Sequence, residues 1–523
     1  MKRSGILFFL FLLSLFLHAQ RTGSTTSAQW RATGKPQLIR GPYLQAATPN
    51  SVIIRWRTDV SSRSRVSFGT DSKKLDRTIS DIKLVTEHQV QLTDLKPSTK
   101  YYYSIGALKD TIEGNDGNYF ITLPVAGTID LYRIGVFGDC GYLSVGQANV
   151  RDQFISYLGN NYMNAWLLLG DNAYNDGTDA EYQAKFFNVY RELLKRYPMY
   201  PSPGNHDYHD ADFTAEYAQN NHTTAYYQNF SMPVNGEAGG VPSHNPAFYS
   251  FDIGNIHFLS LDSYGKEENQ FFLYDTTGPQ MQWVKKDLEA NQNKQWIIAY
   301  THFPPYSMTT HNSDTESGLY KIRENVVPIL ERYGIDLLIC GHSHGYERSR
   351  LLNGYYGKEV DFNTRYNVSN ATGVYDGGKN SEPYIKNFKK GTMYVVSGSS
   401  SYVGKADPAF PHDAMYYSND KNLGAGMLEI NGNRLDFKWI CEDGVIRDQF
   451  TMMKDVNKTT TVHVKKGESA TLTASFVCNE YKWSHREEQG KKIIVKPLTW
   501  KSTYTVTDKS GSLKDVFVVI VDK

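Results

Sequence analysis

Four short, mostly apolar runs in this chain stop on a glycine or a small polar residue and then on a side chain able to hold a cation. Residues 133–137 run into Gly138 and Asp139, and residues 165–169 into Gly170 and Asp171. Residues 296–300 run into Thr301 and His302, and residues 336–340 into Gly341 and His342. Runs of this length bounded by turn residues read as buried strands, with amphipathic helices between them. The alternation predicts an α/β layered core over residues 130–454, with mixed sheets flanked by helices. In open α/β sheets the loops beyond the carboxyl ends of the strands converge, so these polar residues are expected in one crevice.

The flanks differ in texture. Residues 37–124 carry short alternating strands at 51–56, 64–68, 87–92 and 101–105, which predict an all-β sandwich. The stretch from Leu92 to Tyr103 resembles the corner of a fibronectin type III module, in which a Tyr closes the turn into a core strand. Residues 459–523 return to strands at 471–475, 481–483, 492–495, 502–506 and 516–520. They read as a small immunoglobulin-like sandwich, to whose core signature Cys478, Trp483 and Tyr504 bear a loose likeness. Within the core, residues 181–197 and 278–291 read as helices, the first with Phe186, Phe187, Tyr190, Leu193 and Leu194 on its packed stripe.

Lys2 and Arg3 precede an apolar run from Ile6 to Leu17 that ends in His18-Ala19-Gln20, so residues 1–20 read as a secretory signal and the product as secreted or periplasmic. The run is shorter than the ~20 residues a span needs, and no transmembrane anchor is expected after signal removal. Lys plus Arg (56) balances Asp plus Glu (55), which gives no general electrostatic reason to expect nucleic acid or an anionic membrane as partner and leaves a local basic surface open. Four cysteines are too few for a disulfide scaffold, and Cys140 and Cys340 read as buried free thiols.

Taken in order, the chain offers Asp139, Asp171, Tyr174, Asn205, His302, His342 and His344 as candidate metal ligands. Hard oxygen donors with imidazole favour iron, manganese or zinc, and one carboxylate among them can bridge two ions. His209, His222, His244 and His412 lie in polar loops and are expected at the surface.

Gly138-Asp139-Cys-Gly141, Gly170-Asp171-Asn-Ala-Tyr174, Gly204-Asn205-His206-Asp207, Ala299-Tyr-Thr-His302 and Gly341-His342-Ser-His344 resemble the five ordered blocks of the purple acid phosphatases, within an α/β metallophosphoesterase sandwich. The resemblance spans residues 37–454 and includes the amino-terminal module. It implies that Asp139, Tyr174 and His344 hold a first metal, ferric iron, since a phenol that titrates near 10 needs a strongly polarising cation to serve as phenolate. It implies that Asn205, His302 and His342 hold a second ion, iron, zinc or manganese, and that Asp171 bridges. His206 and His311 resemble the substrate-facing histidines. Two positions depart from the family pattern: Asn312 where plant-type members often have a further His, and Ala299 where Val is usual.

The activity implied is hydrolysis of phosphate monoesters by a metal-activated hydroxide, with phosphodiesters or nucleotides as the alternative substrates of the same centre. A surface-binding protein with a vestigial phosphoesterase core is the third reading. The intact ligand set argues against it. The carboxy-terminal module is read either as a contact to a surface or glycan or as an extension of the fold.

Overall fold

The computed structural model describes residues 35–108, 110–208, 222–378, 381–387, 389–484 and 489–522. The expected signal segment and His209 lie outside them. Two large sheets pack face to face. In the first, the parallel strands Leu131–Phe137, Ala165–Leu169 and Met199–Ser202 continue into the antiparallel strands Gly424–Asn431, Arg434–Cys441 and Ile446–Met453. In the second, Ile256–Ser260, Trp296–Thr301, Leu337–Cys340 and Met393–Ser397 run parallel, edged by Tyr249–Ile253, Tyr346–Ser349 and Met415–Asn419.

Parallel strands buried on both faces read as continuous apolar runs, as Ala165–Leu169 and Trp296–Thr301 do: every residue in both is buried. Aromatic side chains fill the space between the sheets. Tyr200 stacks on Phe251 at 3.8 Å between ring centres and Tyr346 on Trp439 at 4.4 Å. The second sheet's outer face carries a separate core. There Met281, Val284 and Leu288 of helix Pro279–Ala290 meet Leu259, Ile297 and Leu338.

A buried ionic clamp fixes that helix to the sheet. His257 places Nδ1 2.8 Å from Asp252 Oδ1 and Nε2 2.6 Å from Asp287 Oδ2, so both ring nitrogens donate and the ring is an imidazolium. Burial opposes the charge, but Asp252 and Asp287 raise the His257 pKa above its ordinary value. A raised histidine pKa contributes stability that is complete below the unfolded value of about 6.5 and is lost as pH rises through the folded value. His257→Gln is therefore expected to lower Tm most below about pH 6.5, with the gap to wild type narrowing as pH rises, in melting curves across a pH series.

The amino-terminal strands do not stand apart. Leu38–Gln45 joins the first sheet through Gln45, opposite Met199. The expected strands at 51–56 and 64–68 are one strand, Val52–Gly69, paired on both sides of an irregular stretch with Arg77–Leu92. Register shifts between Arg57 and Ser64 bend the pair, so that Ile54, Trp56, Val66 and Phe68 share one core. The tyrosine corner is present, with Tyr101 Oη accepting from Lys96 N at 3.0 Å.

The expected helix at 181–197 is broken. Asp179–Glu181 is helical, Tyr182–Phe187 is a π-turn and Arg191–Leu194 a last helical turn. Its stripe is buried as expected, from Phe186 to Leu194. The carboxy-terminal strands pack a core around Leu472, Phe476, Trp483, Val495 and Val519 that also takes in Tyr375, Met453 and Val456, with Cys478 and Tyr504 at its margin. Among the described residues no helix is long and apolar enough to cross a membrane.

Candidate metal centre

The carboxyl ends of the parallel strands in both sheets open on one crevice. Asp139, Asp171 and His342 all take left-handed backbone angles, with φ of +54°, +51° and +68°. Such angles in non-glycine residues cost about 1–3 kcal/mol each and persist only where neighbours hold them. Here the loops hold one another. Asp139 N donates to Gly170 O at 3.2 Å, His342 N to Asp139 Oδ2 at 2.9 Å, and His206 N to Asp171 Oδ1 at 2.8 Å. The approach is so close that a Cβ on Gly204 would lie 2.2 Å from Asp171 Oδ1, and one on Gly341 2.6 Å from Asp139 Oδ2. This explains why glycine accompanies the ligand in these blocks.

The candidate ligands gather in two trios. Tyr174 Oη lies 2.7 Å from Asp139 Oδ1 and 3.0 Å from His344 Nε2, which is itself 3.4 Å from Asp139 Oδ1. His302 Nε2 lies 3.0 Å from Asn205 Oδ1 and 3.3 Å from Asp171 Oδ2, and His342 joins Asp171 and His302 within 4.8 Å. Asp171 interacts with Tyr174 of the first trio and His302 of the second. His302 Nδ1 donates to Leu169 O at 2.8 Å, which turns Nε2 toward Asn205 and Asp171 as the candidate ligating atom. Carboxylate, phenol, amide and imidazole atoms converging at these distances fit two cations of the hard or borderline kind.

Electrostatics agree with a cationic occupant. Burial works against a charge on Asp171, yet His302 above all, with His206, holds its pKa far below the usual carboxylate range. Burial, Asp139 and Asp171 push the Tyr174 phenol well above 10, so only a strongly polarising partner would take its proton. Burial keeps His342 neutral, the form that ligates.

Both expected substrate-facing histidines are here. The His206 ring lies 4.6 Å from that of Tyr174 and is part-exposed. His311 stacks on His342 at 3.7 Å and donates from Nδ1 to Glu316 Oε2 at 2.9 Å. Glu316 was not among the sequence candidates, and it also faces His342 Nε2 at 3.8 Å. Nor was Asp207, buried behind Asp171, which accepts from Gly204 N at 2.8 Å, Asn172 N at 3.1 Å and Tyr182 Oη at 2.5 Å.

A third missed group is Glu347, pushed up to about 7 by burial. It accepts from Ser307 Oγ, which bonds Ser343 Oγ at 2.6 Å between His342 and His344; Ser343 Oγ also accepts from His311 N at 3.2 Å. Glu347→Ala is expected to lower kcat by about ten- to a hundredfold, the loss typical of groups that orient ligands, in steady-state kinetics.

Of the histidines expected at the surface, His244 is exposed and His222 half-buried. His412 is a correction. It is fully buried beside Tyr306, accepts from Ala414 N at 3.0 Å, and burial lowers its pKa to about 4. Cys140 and Cys340 are buried free thiols.

The sequence model of the calcineurin-like phosphoesterases matches residues 132–346, and that of the purple acid phosphatase N-terminal domain matches residues 40–117. Purple acid phosphatase 15 of Arabidopsis thaliana is 32% identical over 300 residues, 52% of this chain and 51% of that protein, so the chain spans about half of this plant relative. Acid phosphatase type 7 of Homo sapiens is 26% identical over 426 residues, 76% of this chain and 85% of that one. Purple acid phosphatase PPD1 from yellow lupin seeds shares the fold with a TM-score of 0.57 at 19% identity, covering 80% of this chain and 74% of that one. Fold and site together define a calcineurin-like metallophosphoesterase. Its amino-terminal module and its relatives narrow the likeness further, to the purple acid phosphatases.

Proposed function

We propose that this protein is an acid phosphatase that hydrolyses phosphate monoesters at a binuclear centre. Asp139, Tyr174 and His344 hold the first ion, ferric iron. Asn205, His302 and His342 hold the second, iron, zinc or manganese, and Asp171 bridges. The observation that carries this reading is the pair of donor trios joined by Asp171, with seven candidate ligands brought from separate loops to one crevice.

Two bound cations supply a water of lowered pKa and neutralise phosphoryl oxygens. The protein's own groups do the rest. Leu169 O fixes the His302 ring, and Asp207 braces the loops of Asp171 and Asn205. His206 lies over Tyr174 at the open side, placed to hydrogen-bond the phosphate. Glu316 fixes the His311 ring through Nδ1 and leaves Nε2 to give a proton to the departing alkoxide. Export is supported by the basic and then apolar segment at the amino terminus, and the carboxy-terminal module is assigned to contact with a surface.

The reading is tested by kcat/KM on p-nitrophenyl phosphate against bis-p-nitrophenyl phosphate. Preference for the monoester is expected, and preference for the diester would move the assignment to phosphodiesters. Metal analysis is expected to find two ions per chain, one of them iron, with iron lowered in Tyr174→Phe.

A further inference from the structure

The carboxy-terminal module turns apolar side chains outward along one segment. Over residues 492–498 buried and exposed positions alternate: Ile493, Val495 and Pro497 are buried, while Lys492, Ile494, Lys496 and Leu498 face solvent, as does Trp500. Residues two apart on an extended chain stand about 7 Å from each other, so Lys492, Ile494 and Lys496 form one row, and Leu498 and Trp500 follow it in the bend that leads to strand Lys501–Asp508. Ile494 is 66% exposed, Leu498 96% and Trp500 74%. Among the described residues, strand Lys492–Val495 pairs only with Ala470–Thr473, and nothing lies over the row.

The row is also cationic. Residues 489–507 contain four lysines, Lys491, Lys492, Lys496 and Lys501, and no carboxylate. All four are exposed. Asp522, next to the Val521 whose N–H reaches Trp500 O, pairs with His463 at 2.8 Å. Counting Arg486, Glu487 and Glu488 just before the lysines, residues 486–507 still carry more basic than acidic groups, beside the exposed Leu498 and Trp500.

We propose that this face docks the protein on an anionic lipid bilayer. Leu498 and Trp500 enter the headgroup layer, and the lysines meet lipid phosphates. Trp suits the interface, aliphatic groups suit the acyl boundary, and lysines near an anionic leaflet add attraction that salt weakens. A sugar chain would use the Trp500 ring but gain little from the fully exposed Leu498, so the bilayer accounts for more of the surface. The proposal deepens the surface-contact reading and does not rest on the phosphatase reading, because none of the residues it uses belongs to the candidate metal centre.

The test is co-sedimentation of the full mature chain with phosphatidylcholine vesicles, with and without phosphatidylglycerol. Pelleting with the mixed vesicles is expected, weaker without the anionic lipid and weaker in high salt. Leu498→Ala/Trp500→Ala is expected to bind at least about tenfold less, with Tm and the rate on soluble substrate unchanged. Lys492→Gln/Lys496→Gln is expected to lose only the anionic preference. Wild type left in the supernatant, or the apolar double variant pelleting like wild type, overturns the proposal. Retention on immobilised alginate without vesicle binding assigns the face to an acidic glycan and overturns it equally.

Discussion

Asp171→Asn is expected to lose more than a hundredfold in kcat on a phosphate monoester and to retain fewer than two metal ions per chain. The side chain is buried between the trios and accepts from His206 N at 2.8 Å while facing His302 Nε2 at 3.3 Å. Asparagine keeps the shape but removes the charge and replaces one acceptor oxygen with a donor. That donor cannot ligate a cation, and it points into a cluster of donors. Groups that merely orient a ligand cost about ten- to a hundredfold when removed, so a shared ligand must cost more. Metal content and kinetics on the same preparations check both parts.

The second large effect is on stability. Asp448, on the first sheet, accepts from Arg348 Nε at 2.6 Å and Nη2 at 2.8 Å, and from Tyr346 Oη at 2.8 Å, both on the second sheet. Arg348 is fully buried, and its remaining partners are Thr372 O at 3.3 Å and Tyr384 Oη at 3.2 Å. Asp448→Ala therefore leaves a buried guanidinium without its counter-charge, at a cost of about 3–5 kcal/mol. A fall in Tm of about 3–5 °C is expected at this chain size. Arg348→Met/Asp448→Leu is expected to recover most of it, since an apolar pair needs no desolvation. A single variant that melts within a degree of wild type would contradict this account of how the sheets are joined.

Part of the candidate site was legible because four of the seven candidate ligands follow strands whose apolar runs are short and sharply ended. Asp139, Asp171, His302 and His342 sit where that pattern placed them, and Tyr174 lies beside Asp139 as the family resemblance implied. Glu316 was not legible. Its contact with His311 depends on a loop that folds back over five residues, and no periodicity marks such a turn. Glu347 hides in the same way, since its role rests on burial under Ser307 and Ser343.

Periodicity reports which face is packed, not how the backbone is hydrogen-bonded. Phe186 to Leu194 kept their buried stripe although the helix breaks into a π-turn and a separate last turn. The polar stretch from Arg57 to Arg63 resembled a loop between two strands, yet pairing with Arg77–Leu92 carries one strand through it with a bulge. His412 lies beside Pro411 and Asp413, a surface-like neighbourhood in sequence, and only tertiary packing against Tyr306 and Tyr355 buries it.

The most direct measurement is anomalous scattering at the iron, zinc and manganese edges from crystals of the purified protein. The account predicts two peaks about 3.5–4 Å apart, as in two-metal sites generally, with Asp171 touching both and Tyr174 touching the one at the iron edge. A single peak, or two peaks that Asp171 does not join, would contradict it.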